Sequence, residues 1–311
     1  MPDIVISEFM DEASVAVLAD KYDVLYDPDL VDKTNELIAA VADAQALIVR
    51  NRTQVRGTVL ASCLNLKAVG RLGVGLDNID VESCKARDIA VLPASGANDD
   101  AVAEYVLTTA LVLLRGCFLN SAGVAAGDWP RQTMIGMEVM GKTLGLVGFG
   151  GIAREAARRA KALDMLITAF DPYVPANDDA WSGVQRHETL EDLLAASDVV
   201  SLHVPLTDGT RNLIDAKALA AMKDTAVLIN TARGGVVDED ALVVALKSNK
   251  LRGAAMDVFE SEPVSAEAGK RYAGLNNVIL TAHIGGVTDE SNVRVSAATA
   301  ENVMRVLEAR P

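Results

Sequence analysis

The chain of 311 residues is poor in several residue types that would define a function on their own. Only 4% of its residues are aromatic, and it has three cysteines and three histidines. Cys63, Cys84 and Cys117 stand far apart and form no CxxC pair, so we expect reduced, mostly buried thiols. Neither a disulfide framework nor a zinc-ligand spacing fits these positions, and we predict no metal site.

Basic residues are also under-represented, since 29 lysines and arginines face 43 aspartates and glutamates, a net charge of −14. This charge disfavours non-specific binding to nucleic acid or anionic membranes, although a salt-adapted host would also explain it. The one membrane-like stretch, residues 105–114, is shorter than the roughly 20 residues needed to span a bilayer, which favours a buried helix. The N-terminus is acidic where a signal peptide would be basic, so we expect a cytoplasmic protein.

Short apolar runs alternate with helical patterns in two successive series, and the length suits two domains. The first series predicts strands at Ile4–Ser7, Val24–Tyr26, Ala46–Arg50, Ala68–Arg71 and Ile89–Leu92. The second predicts strands at Thr143–Val147, Leu166–Phe170, Val199–Val204, Ala226–Asn230, Ala254–Asp257 and Val278–Thr281. This alternation implies an α/β fold with parallel sheets covered by helices. A last helix over Asp289–Ala309 is expected to pack back on the first domain, giving domains of 1–97 plus 288–311 and of 98–287.

A glycine turn between two apolar runs, TLGLVGFGGIAREAARRAKALDMLITAFD (143–171), predicts a dinucleotide site. Gly148 permits a sharp exit from the strand, and Gly150 lets the backbone approach a pyrophosphate at the start of a helix. Ala153, in place of a third glycine, keeps that helix close to the sheet. Asp171 would accept hydrogen bonds from the adenosine ribose and repel a 2′-phosphate, so NAD is favoured over NADP. The expected contacts are Gly148, Gly150, Gly151, Ile152 and Asp171.

Several polar residues directly follow apolar runs and are expected to share one rim: Asp171, His203, Arg233, Asp257 and His283. His283 precedes Gly285 and Gly286, which allow another molecule to approach the backbone closely. A histidine there can exchange a proton with a carbonyl oxygen as hydride reaches the carbon. A hydrogen-bonded structural histidine is the alternative interpretation.

The other two histidines are weaker candidates. His203, with Pro205 after it, suits the adenosine side of a cofactor. His187 lies in a polar segment that is typical of the protein surface.

An arginine and two carboxylates complete the candidate chemistry. Arg233 follows an apolar strand, where a guanidinium can pair bidentately with a carboxylate or form a structural salt bridge. Glu262 could partner His283, because a nearby carboxylate stabilises imidazolium, and Asp257 could face a nicotinamide. Either acid could instead be a solvated loop residue. The sequence GVGLD (73–77) either cradles a small carboxylate with its N–H groups or forms a simple turn.

Seven segments together resemble the D-isomer-specific 2-hydroxyacid dehydrogenase family over essentially the whole chain: GRLGVGLDNID, SGANDDAVAEY, LGLVGFGGIA, HVPLT, INTARGGVVDEDAL, DVFESEP and TAHIGG. The resemblance implies two flavodoxin-like or Rossmann-like domains with a cleft between them, usually in a homodimer. It implies that 1–97 plus 288–311 bind substrate and that 98–287 bind NAD. It also implies a catalytic trio, in which Arg233 holds the carboxylate, His283 is the acid/base and Glu262 tunes it.

The resemblance also suggests further contacts and shows three departures. Expected cofactor contacts are His203, Pro205, Thr210, Thr231, Ala232, Arg233, Asp257, His283, Gly285 and Gly286. Expected substrate contacts are Arg50, Asn51, Arg52, Val74, Gly75, Asn98, Arg233 and His283. Ser95 stands where many members carry proline, Asp99 where threonine or serine is usual, and Ala153 where glycine is common.

The substrate is suggested by Arg50, Asn51 and Arg52, which end an early predicted strand. They resemble an Arg-Ser-Arg-Thr segment of phosphoglycerate dehydrogenases, whose arginines meet the far anionic group of the substrate. We therefore favour a 3-phospho-, 3-sulfo- or 3-hydroxy-substituted 2-hydroxy acid, with ordinary salt bridges of both arginines as the alternative. The chain ends without the regulatory domain that many of those enzymes carry, which favours glycerate or sulfolactate metabolism.

Several rival functions fit the same motifs. A glyoxylate/hydroxypyruvate reductase or a D-lactate dehydrogenase would use the same trio, as would a phosphite dehydrogenase. Formate enzymes of this fold carry glutamine near the histidine, whereas this chain keeps Glu262. An NAD-sensing corepressor or scaffold on the same fold belongs to a different class and would show little turnover.

Overall fold

The computed structural model describes residues 2–116 and 120–309, which form two compact α/β units. The first unit comprises the residues up to Asn98 and those from Val287 onwards, and the second runs from Asp99 to Gly286. Each unit has its own parallel sheet and its own apolar core, as the βα alternation predicts.

The first unit has a five-stranded sheet in the order β2-β1-β3-β4-β5. Its strands are β1 Ile4–Ile6, β2 Val24–Tyr26, β3 Ala46–Val49, β4 Ala68–Arg71 and β5 Ala90–Pro93. Its helices are α1 Glu12–Ala19, α2 Thr34–Val41, α3 Gly57–Ser62, α4 Val81–Ala86 and the C-terminal helix Asp289–Ala309, with a 3₁₀ turn at Leu30–Asp32. This is the flavodoxin-like order, in which ligands bind where the order reverses. The reversal places such a site outside the carboxyl ends of β1 and β3.

The C-terminal helix packs on the first unit's sheet, over β4. An added Cβ at Gly70 would lie 2.8 Å from Val303 and 2.9 Å from Thr299. Glycine at this strand position therefore lets the helix approach the sheet closely. Val295, Val303 and Leu307 join Ile4 in the same core cluster, so the two ends of the chain stabilise one unit.

The second unit has a seven-stranded sheet in the order β12-β11-β10-β9-β6-β7-β8. Its strands are β6 Thr143–Val147, β7 Leu166–Phe170, β8 Gln185–Arg186, β9 Val199–Leu202, β10 Val227–Asn230, β11 Gly253–Met256 and β12 Val278–Leu280. Its helices are α5 Asp99–Arg115, α6 Ser121–Ala125, α7 Gly151–Lys161, α8 Leu190–Ala196, α9 Ala216–Ala221, α10 Glu239–Lys247 and α11 Ala266–Gly269, with 3₁₀ turns at Asp179–Trp181 and Lys270–Tyr272. The order reverses between β6 and β9, as in a Rossmann fold, so the dinucleotide crevice lies beyond these strands.

Helix α7 follows β6 directly and buries a face of small side chains. Ala153, Ala156, Ala157 and Ala160 are all buried, whereas its basic residues lie on the other face. Side chains this small let α7 lie close to β6 and to α5, which is the role that we expected of Ala153.

The strand ends differ from the prediction in a consistent way. Arg50, Asp257 and Thr281 were expected inside strands, but they follow the ends of β3, β11 and β12. Their backbone or side-chain groups form hydrogen bonds with neighbouring loops, so the hydrogen bonds between strands end where the chain turns. Strand β8 was missed, because two polar residues at a sheet edge carry no apolar pattern.

Three further expectations concern single residues and a helix. His187, which we expected at the surface, is half-buried directly after β8, and its Nε2 is enclosed. Cys63 and Cys84 are buried free thiols, and burial raises the pKa of Cys63 to about 11, while Cys117 lies outside the described residues. Residues 105–114 form part of α5, and no described helix is long and apolar enough to cross a bilayer.

Candidate active site

The turn between β6 and α7 has the shape of a phosphate cradle. Gly148 has φ +87°, and an added Cβ would lie 2.7 Å from the carbonyl oxygen of His203. Gly150 begins α7 with no side-chain cap, and a Cβ there would meet no atom within 4 Å. An added Cβ at Gly151 would lie 2.2 Å from Oδ2 of Asp99. The turn therefore needs its glycines, and it leaves the first N–H groups of the helix, including that of Ile152, open to an anion.

Asp171 lies beside this turn and is held by it. Its Oδ2 accepts a hydrogen bond from the Phe149 N–H (2.8 Å), and its Oδ1 accepts one from the Tyr173 N–H (2.8 Å). The carboxylate thus connects β7 to the glycine turn after β6. Because each oxygen accepts one bond here, lone pairs remain for the hydroxyl groups of a ribose.

The loop after β10 is built by the side chain of Asn230. Its Oδ1 accepts from the Ala232 N–H (3.0 Å), and its Nδ2 donates to the carbonyl oxygen of Arg233 (3.0 Å). An added Cβ at Gly234 would lie 1.8 Å from the carbonyl oxygen of Phe259, so this loop packs tightly on the loop after β11. The half-buried Arg233 also donates from Nη1 to the carbonyl oxygen of Ala232 (2.5 Å).

One hydroxyl in this loop has no protein partner. The Oγ1 of Thr231 is buried and forms no hydrogen bond within residues 2–116 and 120–309. A buried polar atom without a partner costs folding free energy unless a ligand or water completes it. The methyl group of Thr231 faces the position of an added Cβ at Gly285, 3.5 Å away. The hydroxyl group of Thr231 is therefore a hydrogen-bonding group that the described residues leave unused, near the turn that carries His283.

His283 and Glu262 form a close pair. The Nδ1 of His283 lies 2.8 Å from Oε2 of Glu262, and Oε1 of the same carboxylate accepts from the Phe259 N–H (3.0 Å). Partial burial alone would raise the pKa of Glu262, but these bonds and the charge of Arg233 hold that pKa below its usual value. Since the carboxylate is charged, Nδ1 carries the donated proton and Nε2 is left for acid–base exchange.

Asp257 holds the turn of His283. His283 has φ +56°, a left-handed conformation that is unfavourable for a residue with a side chain, and its N–H donates to the carbonyl oxygen of Asp257 (2.8 Å). The N–H groups of Ile284 and Gly285 donate to the two carboxylate oxygens of Asp257 (2.8 and 2.7 Å). The hydroxyl of Thr281 donates to Oδ1 (2.6 Å), so this 2% exposed carboxylate fixes the residues up to Gly285. Gly286 ends the second unit directly after this turn.

The loop after β9 carries His203, Pro205 and Thr210. Nε2 of His203 lies 2.9 Å from Oγ of Ser201, and burial lowers the pKa of His203 to about 4. The imidazole of His203 is therefore neutral at pH 7. The hydroxyl of Thr210 donates to the carbonyl oxygen of Pro205 (2.6 Å) and accepts from the Thr207 N–H (2.8 Å), so it closes its own loop.

In the first unit, the loop after β3 is held by a residue that sequence reasoning missed. Glu8 follows β1 and is 5% exposed. Its carboxylate accepts from the N–H groups of Arg50 (2.8 Å), Arg52 (3.1 Å) and Thr53 (3.0 Å). The loop thus sits at the reversal between β1 and β3. A glutamate in a loop carries no sequence signal that distinguishes it from a solvated acid.

The two arginines of this loop differ. Arg50 is half-buried and donates from Nη2 to Oδ1 of Asn292 (2.7 Å), an uncharged acceptor on the C-terminal helix. Arg52 is exposed and forms an ion pair with Asp32, while Asn51 is exposed as well. For Arg52 the structure therefore matches the alternative interpretation, an ordinary salt bridge.

The remaining expected substrate contacts lie after β4 and β5. Val74 and Gly75 belong to the loop after β4, and their N–H groups have no acceptor in the described part of the chain. Asn98 follows β5, and its Oδ1 is enclosed without a partner among the described residues. Both positions offer polar groups that the protein leaves unused.

Comparison with known proteins identifies the family. Residues 107–285 match the family model described as "D-isomer specific 2-hydroxyacid dehydrogenase, NAD binding domain". The chain belongs to the D-isomer specific 2-hydroxyacid dehydrogenases. It is accordingly an NAD-dependent oxidoreductase, and the corepressor interpretation is set aside.

Individual relatives cover 97% or more of the chain. The (S)-sulfolactate dehydrogenase of Chromohalobacter salexigens is 56% identical over 310 residues, 100% of both chains. The hydroxypyruvate reductase of Thermotoga maritima is 37% identical over 302 residues, 97% of both chains. Among solved structures, the D-lactate dehydrogenase of Aquifex aeolicus in complex with NAD and lactic acid has a TM-score of 0.83 at 25% identity, covering 98% of this chain and 96% of that one.

The residues present in this dehydrogenase fit NAD. The glycine cradle of Gly148 and Gly150 leaves room for a pyrophosphate, and Asp171 stands where a ribose is bound in such folds. The orphaned hydroxyl group of Thr231 and the neutral His203 offer further polar contacts near the strand ends. No group of three metal-ligating side chains occurs in the described residues.

Proposed function

We propose that this enzyme interconverts a 3-sulfonated 2-hydroxy acid, (S)-3-sulfolactate, and its 2-oxo acid. We further infer that the first unit binds the substrate and the second unit binds NAD. The relative with 56% identity over the full length is a (S)-sulfolactate dehydrogenase. Its stereochemical label agrees with the family: the sulfonate-bearing carbon outranks the carboxyl group in the priority rules, so (S)-sulfolactate has the handedness of D-lactate.

The observation that carries the substrate proposal is the setting of Arg50. Its side-chain hydrogen bond goes to the neutral amide of Asn292, so the bond orients the guanidinium without neutralising it. Burial lowers the pKa of Arg50, and the charge of Glu8 partly offsets this effect. Glu8 already accepts three backbone N–H bonds. A half-buried guanidinium that is bonded only to a neutral side chain favours a dianionic substrate, because charge-assisted hydrogen bonds to a second anion would compensate for the desolvation of the guanidinium.

The neighbouring loop supplies the other anchor. β3 and β4 are adjacent parallel strands, with Val49 opposite Arg71, so the loops that follow them lie at the same edge of the sheet. The side chain of Asn78 donates to the carbonyl oxygen of Thr53 (2.7 Å) and ties the two loops together. Adjacent strands lie about 4.8 Å apart, a separation that suits the two anionic ends of a three-carbon acid. We assign the carboxylate to the N–H groups of Val74 and Gly75 and the sulfonate to Arg50.

In the second unit, His283, Glu262 and Arg233 are assigned the chemistry. NAD, when bound, accepts or supplies the hydride at its nicotinamide. Nε2 of His283 takes the hydroxyl proton during oxidation and returns it during reduction. Glu262 stabilises the imidazolium that results, and Arg233 binds the carboxylate and polarises the carbonyl. These roles require the left-handed turn that Asp257 holds.

The test of this proposal compares substrates and two arginines. NADH oxidation is measured with sulfopyruvate, phosphohydroxypyruvate, hydroxypyruvate, glyoxylate and pyruvate. Arg50→Met is expected to lower kcat/KM for sulfopyruvate about 10- to 100-fold, because the loss of a charged hydrogen bond costs roughly 1.5–3 kcal/mol. The kcat/KM for pyruvate should not change. Arg52→Met is the matched control and should change neither rate by more than about twofold, because exposed ion pairs contribute little.

Other outcomes lead to different conclusions. A parent enzyme that prefers hydroxypyruvate or glyoxylate, with no effect of Arg50→Met, would make it a hydroxypyruvate or glyoxylate reductase. A preference for phosphohydroxypyruvate that Arg50→Met abolishes would keep the second-anion site but change its ligand. Equal losses in both arginine variants would contradict the distinction drawn between them.

We also propose that the enzyme is a cytoplasmic homodimer that binds neither nucleic acid nor membranes. The net charge of −14 supports the lack of affinity for polyanions. Trp129, Ile135 and Met140 are 76%, 72% and 64% exposed in one segment, a density of apolar side chains typical of interfaces. Sedimentation equilibrium is expected to give twice the chain mass, and Trp129→Ser to shift it toward the monomer. A parent protein that sediments as a monomer would refute the dimer.

A further inference from the structure

The side chain of Arg71 fills the inside of the loop that follows β4. Its Nε donates to the carbonyl oxygen of Gly75 (2.7 Å), and its Nη1 donates to that of Leu72. Gly73 has φ +138°, and an added Cβ there would lie 2.2 Å from Nη1. The loop is therefore wrapped around the guanidinium, and only glycine fits at position 73 without displacing it.

The same loop leaves three successive N–H groups unused. Those of Val74, Gly75 and Leu76 have no acceptor within residues 2–116 and 120–309. In a trans peptide the N–H points away from the C=O of the same unit. The carbonyl oxygen of Gly73 accepts from the Ala94 N–H (2.9 Å), so the Val74 N–H is directed away from β5. The carbonyl oxygen of Gly75 is held by Arg71, so the Leu76 N–H is directed away from the guanidinium.

Arg71 holds one peptide unit on each side of this segment, and the Ala94 N–H holds the Gly73–Val74 unit through the carbonyl oxygen of Gly73. The unit of Leu72 and Gly73 is held through Nη1, and the unit of Gly75 and Leu76 is held through Nε. The peptide unit between Val74 and Gly75 lies between fixed neighbours and has little freedom left. Successive N–H groups of a turn can form a concave anion site, and a site ordered in advance loses less entropy when its ligand binds.

We infer that Arg71 is a positioning residue that preforms the N–H cradle for the substrate carboxylate. The inference rests on the proposed assignment of that carboxylate to Val74 and Gly75, and it adds the residue that shapes the site. Arg71 acts through the backbone and touches neither substrate nor cofactor in this role. Its loss should therefore affect the binding of the 2-oxo acid and leave NADH binding intact.

The kinetic test uses Arg71→Met and Arg71→Lys beside a matched control. Arg87 performs the same structural task elsewhere in the first unit, since its guanidinium donates to the carbonyl oxygens of Leu60 and Cys63. Arg71→Met is expected to raise KM for the 2-oxo acid about tenfold or more, as when preorganised hydrogen bonds to an anion are lost. The Kd for NADH, from fluorescence titration, should not change. Arg71→Lys should recover part of the loss, and Arg87→Lys should leave KM unchanged.

Hydrogen exchange separates this inference from the proposed function. Oxamate, a carboxylate analogue of a 2-oxo acid, is added with NADH, and exchange of a peptide spanning Val74 to Leu76 is followed by mass spectrometry. The parent should show slower exchange with oxamate, and Arg71→Met should lose that effect while β1 stays protected. No slowing in the parent would refute the carboxylate assignment and the role of Arg71 with it. Slowing in both proteins with unchanged KM would refute the role of Arg71 alone, as would an equal rise of KM in Arg87→Lys.

Discussion

The loop that carries Glu262 is held in place by Glu239, a buried carboxylate at the start of α10. Glu239 is 9% exposed, and its Oε1 accepts from the Glu260 N–H (2.7 Å). Its Oε2 accepts from the hydroxyl of Tyr272 (2.9 Å) and from Nη1 of Arg271 (3.4 Å). Burial, followed by the charge of Glu239, raises the pKa of Tyr272, so its hydroxyl remains a donor. The backbone at Glu260, two residues before Glu262, is thus anchored to α10.

The cost of removing this anchor follows from the two groups that lose their acceptor. In Glu239→Ala the buried Tyr272 hydroxyl is left unpaired, which costs about 1–3 kcal/mol, and the N–H of the exposed Glu260 loses a hydrogen bond worth about 1 kcal/mol. Allowing for water that enters the space left by the side chain, we expect a loss of about 2–4 kcal/mol in the free energy of unfolding. Glu239→Gln keeps an oxygen acceptor for the N–H and should lose only about 1 kcal/mol.

Urea unfolding and steady-state kinetics measure the two effects. The control is Asp240→Ala, since Asp240 is 85% exposed on its side chain and meets the same Arg271 at 3.3 Å. An exposed pair contributes about 0–1 kcal/mol, so this variant should remain near the parent. Glu239→Ala should also lower kcat, with Glu239→Gln restoring most of it. A stability loss in Glu239→Ala no larger than that of the control would refute the reasoning.

Three other variants test separate parts of the site. His283→Gln is expected to lower kcat about 10²- to 10⁴-fold while NADH binding, followed by fluorescence, is retained; near-parental turnover would exclude His283 as the acid/base. Burial lowers the pKa of His203 from 6.5 to about 4. Between about pH 6.5 and pH 4, therefore, only the unfolded chain takes up a proton at this histidine, and the free energy of unfolding falls as the pH is lowered. The loss should be about 1–3 kcal/mol, and urea unfolding of His203→Gln should lack it; the same pH dependence in the variant would contradict the assignment. Asp171→Ala should weaken NADH binding about tenfold in calorimetric titration, and unchanged affinity would remove Asp171 from the ribose site.

Much of the second unit was predictable from local patterns. The glycine turn with Gly148 and the acid Asp171 combine a strand, a turn and a helix at fixed spacing, and such spacing is readable without tertiary contacts. The same holds for His283, which follows an apolar run and precedes two glycines. Their proximity to the strand ends follows from the parallel topology.

The supporting residues could not be predicted in this way. Glu8, Arg71 and Glu239 bond to backbone groups that the chain brings near them only after folding. The role given to Asp257 shows the same limit, because a carboxylate expected to face the cofactor also holds the turn of His283 through two N–H bonds. A polar residue after a strand is recognisable in sequence, but its hydrogen-bond partners are not.

The most direct test of the central claim is oxidation by NAD of both enantiomers of 3-sulfolactate, beside D-lactate and D-glycerate. (S)-Sulfolactate is expected to give the highest kcat/KM, at least about tenfold above D-lactate and D-glycerate, since neither of those two acids offers Arg50 a second anion. The (R) enantiomer should be inactive. A kcat/KM for D-glycerate or D-lactate equal to or above that for (S)-sulfolactate would contradict the proposal that Arg50 selects a dianionic substrate.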